Sequence, residues 1–206
     1  MMPLLSLAYL PPVAWCSVIW NAETVALEAA EHYQKSSLRN RCYIAGPNGT
    51  QRLSIPLVKG KHQQTPVRDV RISYDEPWQR QHWRSIKTAY GNAPFFEHYA
   101  DGLVRFYEYP YPFLFDYNLD LLQLILQDKL GWQGRFVLTE KYHPPHEFPG
   151  GTDFRSAFSA EQDVWPSWFQ PRSYAQVFME KSGFIPNLSL LDLLFCCGKQ
   201  GKDILK

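Results

Sequence analysis

The first 28 residues contain two short apolar segments separated by a segment with helical spacing. Residues 4–10 are almost wholly apolar and end at two prolines, which is typical of a buried strand. Residues 13–22 repeat large apolar side chains at helical intervals, and residues 24–28 are strand-like again. A strand, a helix and a strand in this order predict a βαβ unit with a right-handed crossover, which makes the two strands parallel neighbours.

The residues after this unit predict further strands and helices that complete a layered domain. Asn48-Gly49 lies between two strand-like segments and predicts a β-hairpin. Asp75 and Ser189 stand where helices are expected to begin, and Asp192 completes a capping box with Ser189. Further strands are predicted at residues 42–45, 52–57, 67–74, 135–140 and 174–178, and helices at residues 76–90, 95–106, 118–130 and 190–197. We predict an α/β fold: a layered mixed sheet with an N-terminal Rossmann-like βαβ unit, a β-hairpin and packed helices.

Length and composition predict one domain over residues 1–206. Hydrophobic residues make up 45% of the chain, enough for a core, and a net charge of +1 argues against nucleic acid as a partner. No apolar run approaches the roughly 18 residues of a membrane span, and the N-terminus lacks a basic region, so we expect a cytoplasmic protein without a membrane span. The four cysteines form no C-x-x-C pair, which favours free thiols in a reducing compartment.

Residues 143–172 differ in composition from the rest of the chain. Prolines and Gly150-Gly151 are concentrated here without a hydrophobic period, which indicates a Pro/Gly-rich loop or lid. His143 and His146 flank two prolines that prevent a helical metal-binding face, so neither a metal nor a cofactor is predicted. Asp153 and Arg155 could belong to a lid that closes on a ligand or could form a plain salt bridge.

A dense polar segment follows the second predicted strand. Its candidate ligand-binding side chains, between residues 28 and 41, are His32, Gln34, Lys35, Arg39, Asn40 and Arg41. Polar groups placed where a strand ends commonly hold a polar or anionic ligand. Arginine offers a planar fork of donors and lysine a point charge, which suits a phosphate or a carboxylate. The alternative is that these side chains cap loops and hold the hairpin in place.

Two histidines are candidate general acids or bases. His32 is suited by an unperturbed histidine pKa of about 6.5, although beside Glu31 it can also be a hydrogen-bonded spacer. His82 lies on the first long predicted helix, and its i+4 relation to Ile86 turns it inward. It is therefore either functional or bonded to a backbone carbonyl at the edge of the core. Arg84, on the same helix, is a further candidate for substrate binding.

Six motifs carry a resemblance to a known family. They are Y-L-P (9–11), H-Y-Q-K-S-S-L-R-N-R-C (32–42), L-S-I-P-L (53–57), W-x-x-x-H-W-R-S-I (78–86), A-Y-G-N-A-P-F-F (89–96) and P-N-L-S-L-L-D-L-L-F (186–195). In order and spacing they resemble the WbqC-like protein family. That family is largely uncharacterised; its members occur in bacterial O-antigen and other surface-polysaccharide loci, and a glycine-transferase role has been suggested. Longer members also carry a Gly-rich S-G-x-G-G-x-D-Y-type segment, which this chain lacks.

A more remote analogy concerns the residues after the first strand. Longer members begin with a strand ending in Q-P-x-Y-x-P, which resembles the first βα turn of nucleotidyltransferases with a Rossmann-like fold. By this analogy Tyr9 is a candidate substrate-binding residue. The H-x-G-H-type pair of those enzymes has no counterpart at residues 9–15, so nucleotidyl chemistry here would need substitute donors.

These observations lead to one hypothesis and two alternatives. The resemblance implies a transferase-like enzyme of bacterial surface-polysaccharide (O-antigen) biosynthesis that binds a small anionic activated donor, either aminoacyl (glycine) or nucleotide-sugar. The alternatives are a non-catalytic binding or assembly module and a nucleotidyltransferase-like nucleotide binder. The sequence alone does not establish that catalysis occurs. The apolar helix at residues 190–197 is expected to pack on the sheet or on a second subunit of a homo-oligomer.

Overall fold

The chain folds around a short parallel sheet. The computed structural model describes residues 1–58, 64–145, 147–161 and 164–206. The sheet strands are β1 (Met2–Ser6), β2 (Thr24–Glu28), β5 (Arg135–Leu138) and β6 (Gly151–Asp153), and the hairpin strands are β3 (Arg41–Gly46) and β4 (Gly49–Ser54). The helices are α1 (Val13–Trp20), α2 (Trp78–Tyr90), α3 (Phe96–Glu108), α4 (Leu114–Gln123), α5 (Met179–Ser182), α6 (Leu190–Cys197) and α7 (Lys202–Leu205).

The sheet confirms the predicted α/β architecture. Its order is β5-β2-β1-β6, and every neighbouring pair is parallel. The unit β1-α1-β2 is the predicted βαβ crossover, and β3 and β4 form the predicted hairpin, in which Gly49 takes a φ of 109°. The chain moves outward from β1 to β2 and β5, and then returns to the other side of β1 with β6. The strand order therefore reverses between β1 and β6.

The prediction of a strand at residues 67–74 is wrong. Val67–Asp69 is a 3₁₀ turn, and only isolated bridges follow, from Arg71 to Phe113 and from Ile72 to Leu57. Val67 and Val70 are both buried. Their spacing of three matches one turn of a 3₁₀ helix, in which side chains three apart lie on one side. The apparent alternation of apolar and polar residues was therefore not a strand period.

Two helix boundaries and one terminal strand also differ from prediction. Asp75 does not cap α2, since its carboxylate accepts a bond from Ser73 and the helix begins after Pro77. The third predicted helix begins at Leu114, four residues earlier than expected, and continues as a π-helix over Leu124–Lys129. Residues 174–178 are irregular rather than a strand.

Only one half of the capping box predicted at α6 is present. Ser189 is the N-cap, and its hydroxyl accepts a bond from the Leu191 N–H at 3.2 Å. Asp192 does not reach back to Ser189; it is fully buried and accepts bonds from Tyr174 Oη and Gln176 Nε2. Tyr174 and Gln176 thus bond one oxygen, Oδ2, of a carboxylate that local sequence assigned to the cap.

The segment interpreted as a Pro/Gly-rich loop or lid contributes a strand to the sheet. β6 pairs with β1 in the register Met2–Gly151 to Leu4–Asp153. Gly151 is required here, because a Cβ at this position would lie 2.2 Å from the Met2 carbonyl oxygen. His146, one of the two histidines weighed as metal ligands, lies outside the described residues. No helix in the described ranges is long and apolar enough to span a bilayer.

Candidate functional site

The carboxyl ends of three parallel strands bring polar residues to one edge of the sheet. Ser6 ends β1, Glu28 ends β2 and Asp153 ends β6. In open α/β sheets, ligands bind in the crevice outside the carboxyl ends of the strands, where the strand order reverses. Here that position lies between β1 and β6, so the fold itself indicates where to look for a site.

A cavity of about 290 Å³ lies at this position. We call it the switch-point cavity. Its polar side includes Gln34, Lys35, Ser36, Ser37, Arg39 and Arg155, and its apolar side includes Leu7, Trp15, Leu38, Phe154 and Phe158. Three of these side chains are cations, and none of the cavity's described lining residues is acidic. A lining of this charge favours an anionic ligand.

Arg39 is held from behind by a buried carboxylate. Its Nε donates to Glu31 Oε1 at 3.0 Å, and its Nη2 donates to Glu31 Oε2 at 2.6 Å and to Ser6 Oγ at 2.9 Å. Both side chains of the ion pair are about 95% buried. A guanidinium has five N–H donors, so the two on Nη1 have no protein acceptor among the described residues. Arg39 thus lines the cavity in a fixed orientation with donors to spare.

Arg155 is fixed in the same way from the other side of β1. It donates to both Asp153 carboxylate oxygens, to Glu28 Oε2 at 2.6 Å and to the His143 carbonyl at 2.7 Å. Glu28 is completely buried and also accepts bonds from the Thr139 hydroxyl and the Ala30 N–H. The bond with Asp153 is the main reason that the pKa of Arg155 is raised. The carboxylates therefore lie behind the guanidinium groups rather than in the cavity.

Two further hollows adjoin the switch-point cavity. A small one of about 100 Å³ shares Arg39 and Arg155 with it. A larger one of about 610 Å³, which we call the His32 depression, is lined by residues 30–35 and Tyr142. Gln34 and Lys35 line both the switch-point cavity and the His32 depression. The two hollows therefore meet along a shared boundary that carries a cation and an amide.

The turn that forms this boundary has an unusual backbone. Ser36 has a φ of 56°, in the left-handed region that residues other than glycine and asparagine rarely adopt. The Ser37 hydroxyl donates to the Gln34 carbonyl at 2.7 Å and so fastens the turn from within. Such strained residues are found disproportionately at ligand sites. The turn holds Lys35, which is exposed, at the mouth of both hollows.

His82 and Tyr9 belong to the core rather than to the cavity. Tyr9 is fully buried, and its hydroxyl lies 3.0 Å from His82 Nδ1 and 3.2 Å from Tyr107 Oη. Burial lowers the pKa of His82 to about 4, and a hydrogen bond to the Ser54 backbone opposes this shift. The structural alternative, a histidine bonded to backbone at the edge of the core, describes His82.

Three other predicted site residues also lie away from the cavity. Asn40 holds the hairpin, since its amide donates to the Ile55 carbonyl at 2.9 Å and its oxygen accepts from Tyr33 Oη at 3.0 Å. Arg41 begins β3, and Arg84 is exposed on α2. Neither arginine lines any of the three hollows described above. The predicted cluster therefore divides: Gln34, Lys35 and Arg39 meet at the cavity and the rest do not.

The N-terminus of α1 is already occupied by the chain itself. The Val13 N–H donates to the Leu188 carbonyl at 3.0 Å, and the Ala14 N–H donates to Asn187 Oδ1 at 2.9 Å. A helix N-terminus binds phosphate through its free N–H groups. Two of the groups that a nucleotidyltransferase-like turn would offer to phosphate are used here by the segment before α6.

The chain is similar to known proteins over much of its length. The model of the WbqC-like protein family matches residues 8–148. The chain belongs to the WbqC-like protein family. The uncharacterized protein Rv1507c of Mycobacterium tuberculosis is 29% identical over 195 residues, which cover 84% of this chain and 84% of that protein. No solved structure matches the chain.

The region matched by the WbqC-like family supplies only part of the cavity. It includes His32, Gln34, Lys35 and Arg39, but β6 and Arg155 follow its end at residue 148. Sequence reasoning placed Arg155 in a lid or a salt bridge, and it did not identify Phe154 or Phe158 as site residues. Phe154, Arg155 and Phe158 stand close together directly after β6, but no period in the sequence shows that this segment pairs with β1.

Proposed function

We propose that this WbqC-like protein is a transferase-like enzyme that binds an anionic activated donor in the switch-point cavity. The family resemblance suggests bacterial surface-polysaccharide biosynthesis as its setting, with an aminoacyl or nucleotide-sugar donor. One observation carries the proposal: Lys35, Arg39 and Arg155 line a cavity whose described lining includes no acidic residue. Such a cavity attracts a phosphate or a carboxylate and repels a cation.

The ion pairs behind the two arginines support binding. Glu31 orients Arg39, and Glu28 and Asp153 orient Arg155, so that neither guanidinium must give up side-chain freedom when a ligand arrives. Lys35 is exposed and adds a mobile ammonium at the mouth of the cavity. Fixed donors aimed at one space are the arrangement that stabilises negative charge during group transfer.

The neighbouring His32 depression supports transfer rather than binding alone. A transferase must bring a donor and an acceptor together, and the two hollows meet at Gln34 and Lys35. In this proposal the acceptor occupies the depression, where exposed His32 accepts its proton. Lys35, at the boundary, stabilises the negative charge of the departing group. His82 has no part in this reaction because it is buried in the core.

Calorimetric titration of candidate donors tests the proposal. Lys35→Ala should weaken binding of an anionic donor by about 1.5–3 kcal/mol, or roughly 10- to 150-fold, because it removes charge-assisted bonds. Lys87→Ala is the matched control, since Lys87 is exposed on α2 and lines none of the three hollows. It changes net charge equally and should leave affinity unchanged. Binding of no anionic donor, or equal weakening by both variants, would refute the site.

A second candidate function is the non-catalytic binding module. It is favoured by an apolar groove of about 530 Å³ whose lining includes Met1, Pro3, Val18 and Trp168. Trp168 is 49% exposed beside this groove. The two functions differ in turnover: the enzyme yields a transferred product detectable by mass spectrometry and loses it in His32→Gln, whereas the module associates with another biosynthetic protein and yields no product. Nucleotidyl transfer is not supported, because the first N–H groups of α1 are occupied.

A further inference from the structure

We propose that the activated donor is a nucleoside phosphate compound, with its base against Phe154 and Phe158 and its phosphate against Lys35, Arg39 and Arg155. This inference rests on the proposed function and specifies the chemical class of the donor. It follows from the lining of the switch-point cavity, which has a cationic side and an apolar side. A ligand that contacts only one of these sides leaves the other without a partner.

The two sides of the cavity come from different segments of the chain. Residues 34–39 supply most of the polar side, and residues 154–160, directly after β6, supply Phe154 and Phe158 together with Arg155. A cation and an aromatic ring are thus adjacent along the chain. A planar base joined through a sugar to a phosphate matches this pattern, since the ring needs an apolar face and the phosphate needs fixed positive charge.

The aromatic side is held in place from outside the cavity. Trp168 meets Phe154 and Phe158 edge to face, with ring centroids 6.0 and 6.3 Å apart. Phe154 and Phe158 both line the cavity and are only partly buried. Rings fixed in this way form a stacking surface that needs little rearrangement to accept a base.

The charges of the lining argue against an aminoacyl donor. An amino acid activated at its carboxyl group carries a free α-ammonium, which needs acidic or carbonyl partners. The cavity has three cations and, in its described lining, no carboxylate to receive that group. An ammonium held in the switch-point cavity would therefore be repelled; Glu31 lines only the His32 depression and the small hollow. A sugar phosphate without a base avoids this conflict but leaves the aromatic side uncovered.

The size of the cavity sets how much of the donor it holds. Its volume of about 290 Å³ is at the lower end of the usual range for small-molecule sites. It suits the nucleoside phosphate part alone. A transferred sugar attached to the terminal phosphate would extend past Gln34 and Lys35 into the His32 depression, toward the proposed acceptor and base.

Calorimetric titration of the full chain with a series of fragments tests this inference. The probes are uridine diphosphate, adenosine diphosphate, ribose 5-phosphate, inorganic pyrophosphate and glycine. We expect at least one nucleoside diphosphate to bind about tenfold or more tightly than pyrophosphate and ribose 5-phosphate, because base stacking adds to the phosphate contacts. Glycine should not bind. Phe158→Leu, which keeps apolar volume but removes the flat ring, should abolish this gain and leave pyrophosphate affinity unchanged.

Phe136→Leu is the matched control. Phe136 is partly buried on β5, at the opposite edge of the sheet, where it packs on Trp132 and lines none of the hollows described above. It should bind every probe as the unchanged protein does. If pyrophosphate and the nucleotides bind equally, the base inference is refuted and the anion site stands. Equal loss of nucleotide and pyrophosphate affinity in Phe158→Leu also refutes it. If no anionic probe binds, the proposed function fails as well.

Discussion

The two histidines predicted as acids or bases, His82 and His32, lie in opposite environments. His82 is 5% exposed, Tyr9 lies 3.0 Å from its Nδ1, and Trp78 packs edge-on against its ring. Burial disfavours the charged imidazolium and lowers the pKa of His82 to about 4. His32, by contrast, is exposed beside the candidate site. The buried histidine is therefore neutral near pH 7, whereas the proposed function assigns proton transfer to the exposed one.

The lowered pKa of His82 predicts a loss of stability in acid. In the unfolded chain the imidazole takes up a proton below about pH 6.5, whereas in the folded protein it does so only near pH 4. The neutral His82 therefore makes its full contribution to the free energy of unfolding above pH 6.5. Between pH 6.5 and 4 this contribution falls by about 3 kcal/mol. Urea unfolding at intervals from pH 7.5 to 4 measures it.

Two variants separate His82 from the other groups that titrate in this range. His82→Gln removes the titrating group and should reduce the loss between pH 6.5 and 4 by about 3 kcal/mol, whatever its stability at neutral pH. His98→Gln, at an exposed histidine on α3, is the control for a histidine-to-glutamine change elsewhere on the protein. A profile that is the same in His82→Gln as in the unchanged protein would contradict the assigned cause.

At the scale of elements, the segment before α6 also serves α1. Ser189 was predicted to stand at the start of the C-terminal helix, and it does cap α6. The same segment provides Asn187 Oδ1 and the Leu188 carbonyl to the first turn of α1. Asn187 has a φ of 55°, so its side chain reaches α1 from a left-handed backbone. One short segment thus provides hydrogen-bond acceptors to the first turns of two helices, α1 and α6, that are far apart in sequence.

Asn187 is expected to stabilise the protein in two ways, through its side-chain hydrogen bond and through its tolerance of a left-handed backbone. Asn187→Gly keeps the backbone conformation but removes the acceptor of the Ala14 N–H, and it should lower the free energy of unfolding by about 1 kcal/mol. Asn187→Ala also imposes the cost of a left-handed backbone and should lower it by about 1–2 kcal/mol more. Urea unfolding measures both variants. If alanine is tolerated as well as glycine, the backbone conformation does not contribute as described.

Sequence predicted the elements that local chemistry defines and missed those that distant partners define. The hairpin followed from Asn48-Gly49, and the start of α6 followed from Ser189, because each signal acts within a few residues. β6 has three residues and no period of its own; it is a strand because β1 offers it an edge. Asp192 was misassigned for the same reason, since its partners Tyr174 and Gln176 are not visible in its own motif.

At the scale of the whole molecule, the candidate site joins parts that the sequence separates. Lys35 and Arg39 could be predicted because they lie in one polar segment after β2. Arg155 could not, because its bond to Glu28 spans 127 positions. Two buried carboxylates, Glu28 and Glu31, anchor one arginine each, so the positive charges face the cavity while the negative charges lie behind them. This separation of charge arises from the fold and is invisible in a net charge of +1.

The ion pair of Glu28 and Arg155 should stabilise the whole molecule as well as shape the site. Arg155→Met removes the cation and leaves Glu28, which is completely buried, without its partner. Breaking a buried pair from one side costs about 3–5 kcal/mol, because an uncompensated charge stays in the interior. We expect a fall of this size in the free energy of unfolding in urea. β6, which ends two residues before Arg155, should also become more susceptible to proteolysis.

Removing the second charge should reverse much of this loss. In Arg155→Met with Glu28→Gln no carboxylate remains unpaired at position 28, and the glutamine can still accept the bonds from Thr139 and Ala30. The double variant should therefore be more stable than Arg155→Met alone, by about 1–3 kcal/mol. It should not regain donor binding, because the cavity still lacks one of its three cations. A double variant no more stable than the single one would show that Glu28 does not carry the cost, and unimpaired donor binding in it would remove Arg155 from the site.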